Sequence, residues 1–410
     1  MRALAVLSMH TSPLAQPGTG DGGGMNVYVR ELATAVARAG VRCDVYTRAF
    51  SDDLPAVVTV EPGLRVHHVP AGPLAAVPKE ELPDFVAEFT EAVLGRMARG
   101  YAADAVHANY WLSGVAGHAI KHELGLPLIC TFHTLDRVKA EVDLGEDSAR
   151  RSEAEAQVIG CSDAVLASCP EEVAQIERLY PADPDRIVVV PPAVDHAYFA
   201  PNPRDRRQPR RALGLPEDGR MLLFVGRIQP LKGVEVAVRT LGRLVVSHPD
   251  AHLVIVGGPS GPAGQAEVAR ITSVIDQLGL ADRVQLVAPR PHEQLSTYYR
   301  AADVCLVPSR TESFGLVALE AAACGTPVVA SAVGGLRSLV DHARTGFLVE
   351  GRDPAVFASY VAEVLDNPVL ARAMGAEAAR RAQGYTWSAA ARALVGLYDV
   401  LTTRELVSCP

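Results

Sequence analysis

The sequence lacks the features that mark secreted, membrane-spanning and nucleic-acid-binding proteins. Its seven cysteines are scattered and form no CxxC pair, so it predicts neither a disulfide framework nor a zinc site, and a reducing cytoplasmic compartment suits it best. No apolar run approaches the roughly 18 residues of a bilayer-spanning helix, which predicts no membrane insertion. With 5% aromatic residues and a formal net charge of −8, the composition argues against nucleic acid and anionic membranes as partners.

The length and composition indicate a globular protein of two domains. A chain of 410 residues exceeds the roughly 250 to 300 residues at which single cores stop growing. Short β-branched runs alternate with helical patterns, which is typical of βαβ units in parallel sheets. We predict an α/β fold with two Rossmann-like doubly wound domains, residues 1–190 and 191–389. The apolar spacing of the helical segment 390–410 suits packing on either domain, the N-terminal one included.

The strand predictions place the candidate motifs. We expect strands at residues 3–8, 42–47, 105–108, 128–131, 164–167 and 187–190, and again at residues 221–225, 252–256, 284–286, 304–308 and 327–330. The proline- and arginine-rich stretch 190–211 is interpreted as a linker. Ligands of open α/β sheets bind beyond the carboxyl ends of the strands, so we expect the motifs around one cleft between facing domains.

The first motif, GTGDGGGMNVYVRELATAVARAG, spans residues 18–40. Its glycine-rich turn lets the backbone approach a ligand, and the helix that follows offers free N–H groups to a phosphate. An ordinary flexible loop is the alternative. The motif is not a clean GxGxxG fingerprint, and Tyr46, Thr47 and Arg48 stand where an NAD enzyme places an acidic residue, so an NAD enzyme is disfavoured.

The second motif, FVGRIQPLKG, spans residues 224–233 and carries Arg227 and Lys232 just after a predicted strand. A fork-shaped guanidinium and a compact ammonium suit a pyrophosphate whose charge grows as a sugar bond breaks. Two solvated surface cations are the alternative. Lysine is scarce here, since the only others are Lys79, Lys121 and Lys139, and this scarcity favours a specific role for Lys232.

The third motif, TESFGLVALEAAACGTPVVAS, spans residues 311–331 and carries Glu312 and Glu320. We expect Glu312 in the loop that enters a helix and Glu320 about two turns inside it, roughly 12 Å along the axis, which suits two ends of one long ligand. Ser313, Phe314 and Gly315 are predicted to form the first helical turn, where free N–H groups meet a phosphate. The alternative is a favourable charge at a helix N-terminus and a surface glutamate.

Together the three motifs resemble those of the retaining nucleotide-sugar glycosyltransferases of the GT-B fold, and the resemblance spans nearly the whole chain. Other segments, among them YWLSGVAGH, HTLDRVKA and RPHEQLSTYYRAADVCLVPS, are similar to the branch of that family that transfers N-acetylglucosamine from UDP-GlcNAc to inositol 3-phosphate in mycothiol synthesis. The resemblance implies two domains facing a cleft, small-molecule substrates, no cofactor and no essential metal.

The resemblance also implies roles for residues on the donor side. His133 would face the transferred sugar, Arg227 and Lys232 would hold the diphosphate, and Glu312 would bind the sugar hydroxyls. Attack would occur from the front face, and the leaving diphosphate would accept the proton. The remaining donor-binding residues implied are Gly24, Asn26, Arg290 near the uracil, Ser313, Phe314, Gly315, and Glu320 at the ribose. A surface arginine is the alternative for Arg290.

On the acceptor side the resemblance implies a phosphate site made of Lys79, Tyr110, Thr134 and Arg151. Taken singly, each of the four is equally compatible with packing or with a solvated charge. The sequence departs from the family pattern nearby, at Asn109 in place of the usual His, at Phe132 in place of Ala, and at the residues after Thr134, which are Leu135, Asp136 and Arg137. The identity of the acceptor is therefore the property that the family resemblance supports least.

Three alternatives remain open at this point. The first is a related glycosyltransferase of a secondary-metabolite pathway with a different small polar acceptor. The second is a UDP-N-acetylglucosamine 2-epimerase, which needs acid and base residues at the sugar and no acceptor-phosphate pocket. The third is a nucleotide-binding module without catalysis. The sequence does not decide whether the chain forms a homodimer.

Overall fold

In a computed structural model, which describes residues 2–18, 20, 22–142, 149–202, 206–261 and 263–409, the chain packs as two compact α/β units. The first comprises Met1–Ala15, Met25–Pro191 and Trp387–Pro410, and the second comprises Gln16–Gly24 and Pro192–Thr386. The prediction of two Rossmann-like, parallel-sheet domains is confirmed. The glycine-rich loop of the first motif belongs to the second unit, although the strand before it belongs to the first.

The first unit is built on an eight-stranded sheet in the order β3-β4-β2-β1-β5-β6-β7-β8, parallel throughout except for the β3–β4 pair. β1 and β5 are buried along their whole length, because a parallel sheet is covered by helices on both faces. The strands are β1 Ala3–Leu7, β2 Arg42–Arg48, β3 Val57–Glu61, β4 Leu64–Val69, β5 Ala105–Asn109, β6 Leu128–Thr131, β7 Ala164–Ala167 and β8 Ile187–Val189. The helices are α1 Gly24–Arg38, α2 Val86–Ala98, α3 Trp111–Leu124, α4 Asp136–Ala140, α5 Ala149–Cys161 and α6 Pro170–Leu179.

The second unit is built on a six-stranded sheet, parallel at every pairing, in the order β11-β10-β9-β12-β13-β14. Its strands are β9 Arg220–Val225, β10 Ala251–Val256, β11 Val284–Val287, β12 Val304–Val307, β13 Val328–Ser331 and β14 Gly346–Val349. Its helices are α7 Arg207–Ala212, α8 Val234–Leu244, α9 Gly264–Gln277, α10 His292–Ala301, α11 Leu316–Ala323, α12 Leu336–Leu339, α13 Pro354–Asp366 and α14 Pro368–Ala382.

The last helix, α15 Trp387–Leu401, returns to the first unit. The ring of Trp387 lies 6.0 Å from that of Tyr28, and the ring of Tyr398 lies 6.4 Å from that of His107. These large side chains are buried, so the helix closes part of the core of the first unit. Among the residues that the structure describes, none of the helices combines the length and the apolarity needed to cross a bilayer.

The structure corrects two sequence-based interpretations. The stretch 190–211 is no simple linker, because it contributes α7, a fully buried Phe199 and an Arg210 whose guanidinium donates to the carbonyl of Ala301 and to Asp303. The cysteines are not all free, because Cys161 and Cys409 form a disulfide with their Cα atoms 5.2 Å apart. The sequence does not reveal this pair, since 248 residues separate its members.

We expect Asp163→Ala to destabilise the first unit strongly. The Asp163 carboxylate accepts hydrogen bonds from Lys121 Nζ at 2.8 Å and from the backbone N–H groups of Leu128 and Val407, each at 2.7 Å. Lys121 is buried, so the variant leaves its ammonium charge in the interior without a carboxylate partner. This loss lowers the free energy of unfolding by about 3 to 5 kcal/mol. Thermal unfolding monitored by circular dichroism measures the loss. The control is Glu350→Ala, which removes the exposed ion pair with Arg337 and should leave the melting temperature unchanged; equal melting of both variants would contradict the expectation.

Candidate active site

The cation pair of the second motif follows β9 in the second unit. Arg227 Nη1 lies 3.3 Å from Ser260 Oγ, to which it donates. Lys232 ends a short 3-10 turn, Pro230–Lys232, and its Nζ lies 2.7 Å from Glu312 Oε2, which also accepts from Ser309 Oγ at 3.1 Å. Lys232, predicted to bind the diphosphate, and Glu312, predicted to bind the sugar, therefore form an ion pair. An ammonium has three N–H donors, so Lys232 can hold Glu312 and still donate to a phosphate oxygen.

Glycines fix the backbone on both sides of this ion pair. Gly233 has a φ of 71°, and a Cβ there would lie 2.1 Å from the carbonyl oxygen of Pro308. Gly334 has a φ of 44°, and its Cβ would lie 1.9 Å from the carbonyl oxygen of Glu312, which also accepts from Gly335 N at 3.0 Å. A side chain at either position would displace the strand-end loops, so glycine holds Lys232 and Glu312 at hydrogen-bonding distance.

The helix of the third motif begins later than the sequence predicts. α11 starts at Leu316, so Ser313, Phe314 and Gly315 precede it, and Gly315 is its N-cap residue with a φ of 105°. Phe314 is buried, with its ring 5.8 Å from that of Tyr385, so its side chain packs in the interior of the second unit. Glu320 consequently lies about one turn inside α11 instead of two.

Glu320 is buried, and both of its carboxylate oxygens are engaged. Oε1 lies 2.6 Å from His292 Nε2, and Oε2 accepts from the hydroxyl of Tyr299 at 2.7 Å. Sequence reasoning missed both partners, which lie about two turns apart on α10. Arg290, two residues before α10, is exposed.

The glycine-rich loop lies on the strand-end edge of the second unit. A Cβ at Gly23 would lie 3.2 Å from Arg227 Nε, and one at Gly24 would lie 3.2 Å from a methyl group of Leu316, the first residue of α11. A Cβ at Gly18 would lie 3.2 Å from Pro289 Cβ. The structure therefore brings Gly23 next to Arg227 and Gly24 next to the start of α11, and the absence of side chains permits this approach.

Asn26 belongs to the first unit and is buried. Its Nδ2 donates to Thr11 Oγ1 and to the carbonyl oxygen of Ser12, both at 2.6 Å. These bonds fix the turn that follows β1. The structure thus gives Asn26 a bracing role at the base of the glycine-rich loop.

The four predicted acceptor residues lie together in the first unit. Lys79 Nζ lies 4.7 Å from the centroid of the Tyr110 ring, and Arg151 Cζ lies 5.1 Å from the same centroid. Arg151 Nη2 donates to the carbonyl oxygen of Thr134 at 3.0 Å and to its Oγ1 at 3.3 Å. Two cations, an aromatic ring and a hydroxyl converge, which is the chemistry that binds a phosphate monoester.

A buried carboxylate orients Arg151. Glu155, fully buried, accepts from Arg151 Nε at 2.8 Å, from the backbone N–H of Asp136 at 2.9 Å and from the hydroxyl of Tyr180. Burial works against the guanidinium charge, but Tyr110, Glu155 and Asp136 outweigh it and raise the pKa of Arg151. Arg151 therefore stays charged in a fixed orientation. Glu155 stands four residues after Arg151, an (i, i+4) spacing that could have revealed it.

His133 and Tyr110 adopt backbone conformations that non-glycine residues rarely take. Their φ angles are 60° and 76°, and Ala343 is the third such residue in the part of the chain that the structure describes. Each costs on the order of 1 to 3 kcal/mol and persists where surrounding structure enforces it, most often at functional sites. Tyr110 directly follows β5, and its backbone N–H donates to Thr131 at the end of β6.

The imidazole of His133 is neutral and bound to Asn109. Nε2 lies 2.9 Å from Asn109 Oδ1, which can only accept, so Nε2 carries the proton. Burial, with a smaller contribution from His107, lowers the pKa of His133 to about 3. The departure from the family pattern at Asn109 therefore sits in direct contact with His133, and it sets that side chain's tautomer.

Comparison with known proteins supplies an independent line of evidence. Two family models match, "Glycosyl transferases group 1" over residues 205–381 and "Glycosyl transferase 4-like domain" over residues 23–193. A D-inositol 3-phosphate glycosyltransferase 2 from Catenulispora acidiphila is 45% identical over 97% of this chain and 95% of its own, and a D-inositol 3-phosphate glycosyltransferase from Kineococcus radiotolerans is 46% identical with the same coverage of both chains.

Solved structures agree with these matches. The sucrose-phosphate synthase of Thermosynechococcus elongatus is 35% identical, with a TM-score of 0.89 and coverage of 98% of this chain and 99% of its own. The Anabaena protein HepE, solved in complex with UDP and glucose, has a TM-score of 0.78 at 19% identity and covers 98% of this chain and 100% of its own. At that identity HepE supports the fold alone.

Replacing Gly233 with alanine should destabilise the second unit more than a matched substitution in open space. Gly279 has a similar φ of 64° but no neighbour within 4 Å of its Cβ position, whereas the Cβ of Gly233→Ala meets a carbonyl oxygen. Gly279→Ala then costs about 1 kcal/mol of backbone strain, and Gly233→Ala costs clearly more. Thermal melting of both variants measures the difference, and equal shifts would refute the steric argument.

His133→Gln should flatten the acid dependence of stability. Because the folded pKa is about 3 and the ordinary value is 6.5, the unfolded chain binds an additional proton between these values, and stability falls as the pH falls through this window. Removing the imidazole should reduce the slope by up to about 1.4 kcal/mol per pH unit. Urea unfolding of both proteins from about pH 4 to pH 8 measures this; parallel curves below pH 6.5 would exclude a half-buried, neutral His133.

Proposed function

The chain belongs to the D-inositol 3-phosphate glycosyltransferase family of GT-B enzymes, and on that premise we propose that it transfers N-acetylglucosamine from UDP-GlcNAc to inositol 3-phosphate with retention of configuration. The reaction would take place in the cytoplasm between two small-molecule substrates. The observation that carries the acceptor assignment is the convergence of Lys79 and Arg151 on the ring of Tyr110, with the Thr134 hydroxyl hydrogen-bonded to Arg151.

The acceptor cluster supports a phosphorylated substrate because its cations are held in place before a ligand arrives. Arg151 is fixed by Glu155 and by Thr134, so little side-chain entropy is lost when it binds a phosphate. Lys79 is half-buried and reaches the same ring from another segment. An uncharged polyol would make no ionic contact with Lys79 or Arg151, which disfavours an unphosphorylated acceptor.

The donor side supports a nucleotide diphosphate sugar. Arg227 and Lys232 supply two positive charges at the end of β9, and the glycine-rich loop leaves backbone space beside Arg227. Glu312, paired with Lys232, offers its second oxygen to sugar hydroxyls. These charges offset the charge that develops on the leaving diphosphate, worth a few kcal/mol per donor, and we propose that no metal ion is essential.

The proposed reaction needs no carboxylate nucleophile. The hydroxyl of the acceptor attacks the anomeric carbon from the face that the diphosphate leaves, the bond from that carbon to the phosphate oxygen breaks, and the acceptor proton passes to the departing phosphate. His133 is uncharged at neutral pH, so it contributes a hydrogen-bonding, neutral surface at the sugar and does not act as a cationic acid.

A related glycosyltransferase with another small polar acceptor is the second candidate. The observation that favours it is the contact of Asn109 with His133, at a position where the family pattern has a histidine. The acceptor panel therefore includes hexose phosphates beside inositol phosphates. A 2-epimerase would convert UDP-GlcNAc without any acceptor, and a module without catalysis would bind it without turnover.

The test is incubation of the purified protein with UDP-GlcNAc and a panel of inositol 3-phosphate, unphosphorylated inositol and hexose phosphates, with EDTA throughout. UDP release, product mass and the anomeric coupling constant in the proton NMR spectrum are measured. We expect an α-linked N-acetylglucosaminyl inositol phosphate. Turnover of only another acceptor would overturn the acceptor assignment, an inverted product would overturn retention, and dependence on added metal would overturn the proposed charge compensation.

Lys79→Met should raise the KM for the phosphorylated acceptor by at least about ten-fold and leave the KM for the UDP-sugar nearly unchanged. The methionine keeps the length of the side chain and removes the charge that faces a phosphate. Initial rates with each substrate varied in turn measure the split. Arg96→Ala, which removes a half-buried cation on α2 outside the cluster, is the control, and an equal effect of the two variants would contradict the role of Lys79.

A further inference from the structure

A second group of chemically reactive side chains lies in the first unit, apart from the residues proposed for the donor and the acceptor. His118 and His122 stand four residues apart on α3, with their Nε2 atoms 3.0 Å from each other. Cys409 reaches them from the end of the chain, and the three side chains each offer one ligand atom within 4.8 Å of the other two. His122 is exposed, and His118 and Cys409 are half-buried.

The C-terminal segment is fastened at this position. Val407 donates its backbone N–H to Asp163, which is held by the buried ammonium of Lys121 on α3. This bond lies two residues before Cys409, so the thiol group cannot move far from the histidine pair. Cys161, the last residue of α5, is the other neighbour of Cys409 and forms the disulfide with it.

The geometry of the histidine pair suits a metal ion. Histidines at (i, i+4) on one helix face form a chelate, as in helical zinc motifs. A tetrahedral zinc ion with bonds of about 2.0 Å to nitrogen holds two ligand nitrogens about 3.3 Å apart, close to the 3.0 Å observed here. A thiolate completes a set of three ligands, with water as the fourth, and soft sulfur with imidazole selects zinc-class ions over magnesium or calcium.

We propose that His118, His122 and Cys409 bind one divalent transition-metal ion of the zinc class, and that the Cys161–Cys409 disulfide closes this site. Binding releases the thiol proton of Cys409, because the thiolate is the ligand. In the closed state both cysteines have given two electrons and two protons to a small-molecule disulfide, which leaves as two thiols. A sulfur atom in a disulfide is no thiolate ligand, so oxidation and metal binding exclude each other.

The site gives the C-terminal segment two alternative attachments. In the metal-bound state Cys409 is tied to α3 through the histidines, and in the oxidised state it is tied to the end of α5 through Cys161. Both attachments hold the segment that follows α15. The local redox potential then decides which one is used.

The test uses untagged full-length protein, reduced with a phosphine and titrated with zinc in a calorimeter, with cobalt as a spectroscopic probe. We expect one ion per chain and a near-ultraviolet charge-transfer band from a cobalt–thiolate bond. Reduced Cys161→Ser should show both, whereas wild-type protein oxidised with glutathione disulfide should lose them and regain them after a second reduction with the phosphine. His122→Ala should weaken zinc binding at least ten-fold, and His248→Ala, which removes a histidine bound to Asp366, should not.

Three results would overturn the proposal. Failure of reduced Cys161→Ser to bind one ion per chain, with circular dichroism showing it folded, would exclude the metal site. Equal zinc affinity of His122→Ala and His248→Ala would show that the histidine pair is not the ligand. Equal binding by reduced and oxidised wild-type protein would exclude the closing role of the disulfide. None of these results depends on the transferase assay.

Discussion

Parallel strand pairing determines where the functional side chains of this protein lie. When neighbouring strands run in the same direction, every loop that follows a strand emerges at one edge of the sheet. In each unit, residues proposed to bind substrate lie at this edge, and almost all follow a strand within a few residues. These are Tyr110 after β5, His133 and Thr134 after β6, Arg227 and Lys232 after β9, Arg290 after β11, and Glu312 after β12. The backbone hydrogen bonds of the two sheets thereby collect residues that are far apart in sequence.

Much of this arrangement was predictable from the sequence, because apolar runs that end in glycine, arginine or histidine mark strand ends. The missing parts have physical reasons. β3 and β4 form the antiparallel edge of the first sheet, and their partly polar residues lack the continuous apolar run of a central strand. β14 was not predicted, and it begins with a glycine, a residue that is uncommon in strands. The stretch 190–211 has the composition of a linker, yet tertiary bonds of Arg210 and burial of Phe199 override that composition.

The side chains that support the site were less predictable than the site itself. Three side chains contact residues proposed to bind substrate: Glu155 contacts Arg151, and His292 and Tyr299 contact Glu320. The local sequence indicates only the first contact, through the (i, i+4) spacing of Arg151 and Glu155. The sequence predicts a start of α11 three residues too early, because it does not reveal that Gly315 adopts a left-handed conformation and serves as the N-cap residue. The sequence predicts Lys232 and Glu312 as two separate substrate-binding residues, and it does not reveal that they form an ion pair. In this pair the negative charge of Glu312 offsets the positive charge of Lys232.

The path of the chain through the two units has a consequence for how the protein can be taken apart. The main part of the second unit, Pro192–Thr386, is inserted between Pro191 and α15, both of which belong to the first unit. Near the two ends of that insert, the backbone N–H of Val194 donates to the carbonyl oxygen of Tyr385 at 3.3 Å. The two ends of the insert therefore lie next to each other. A cut that removes only the end of the chain takes α15 from the first unit, whereas excision of the insert and rejoining of its flanks keeps α15 on the same chain as every strand of the first sheet.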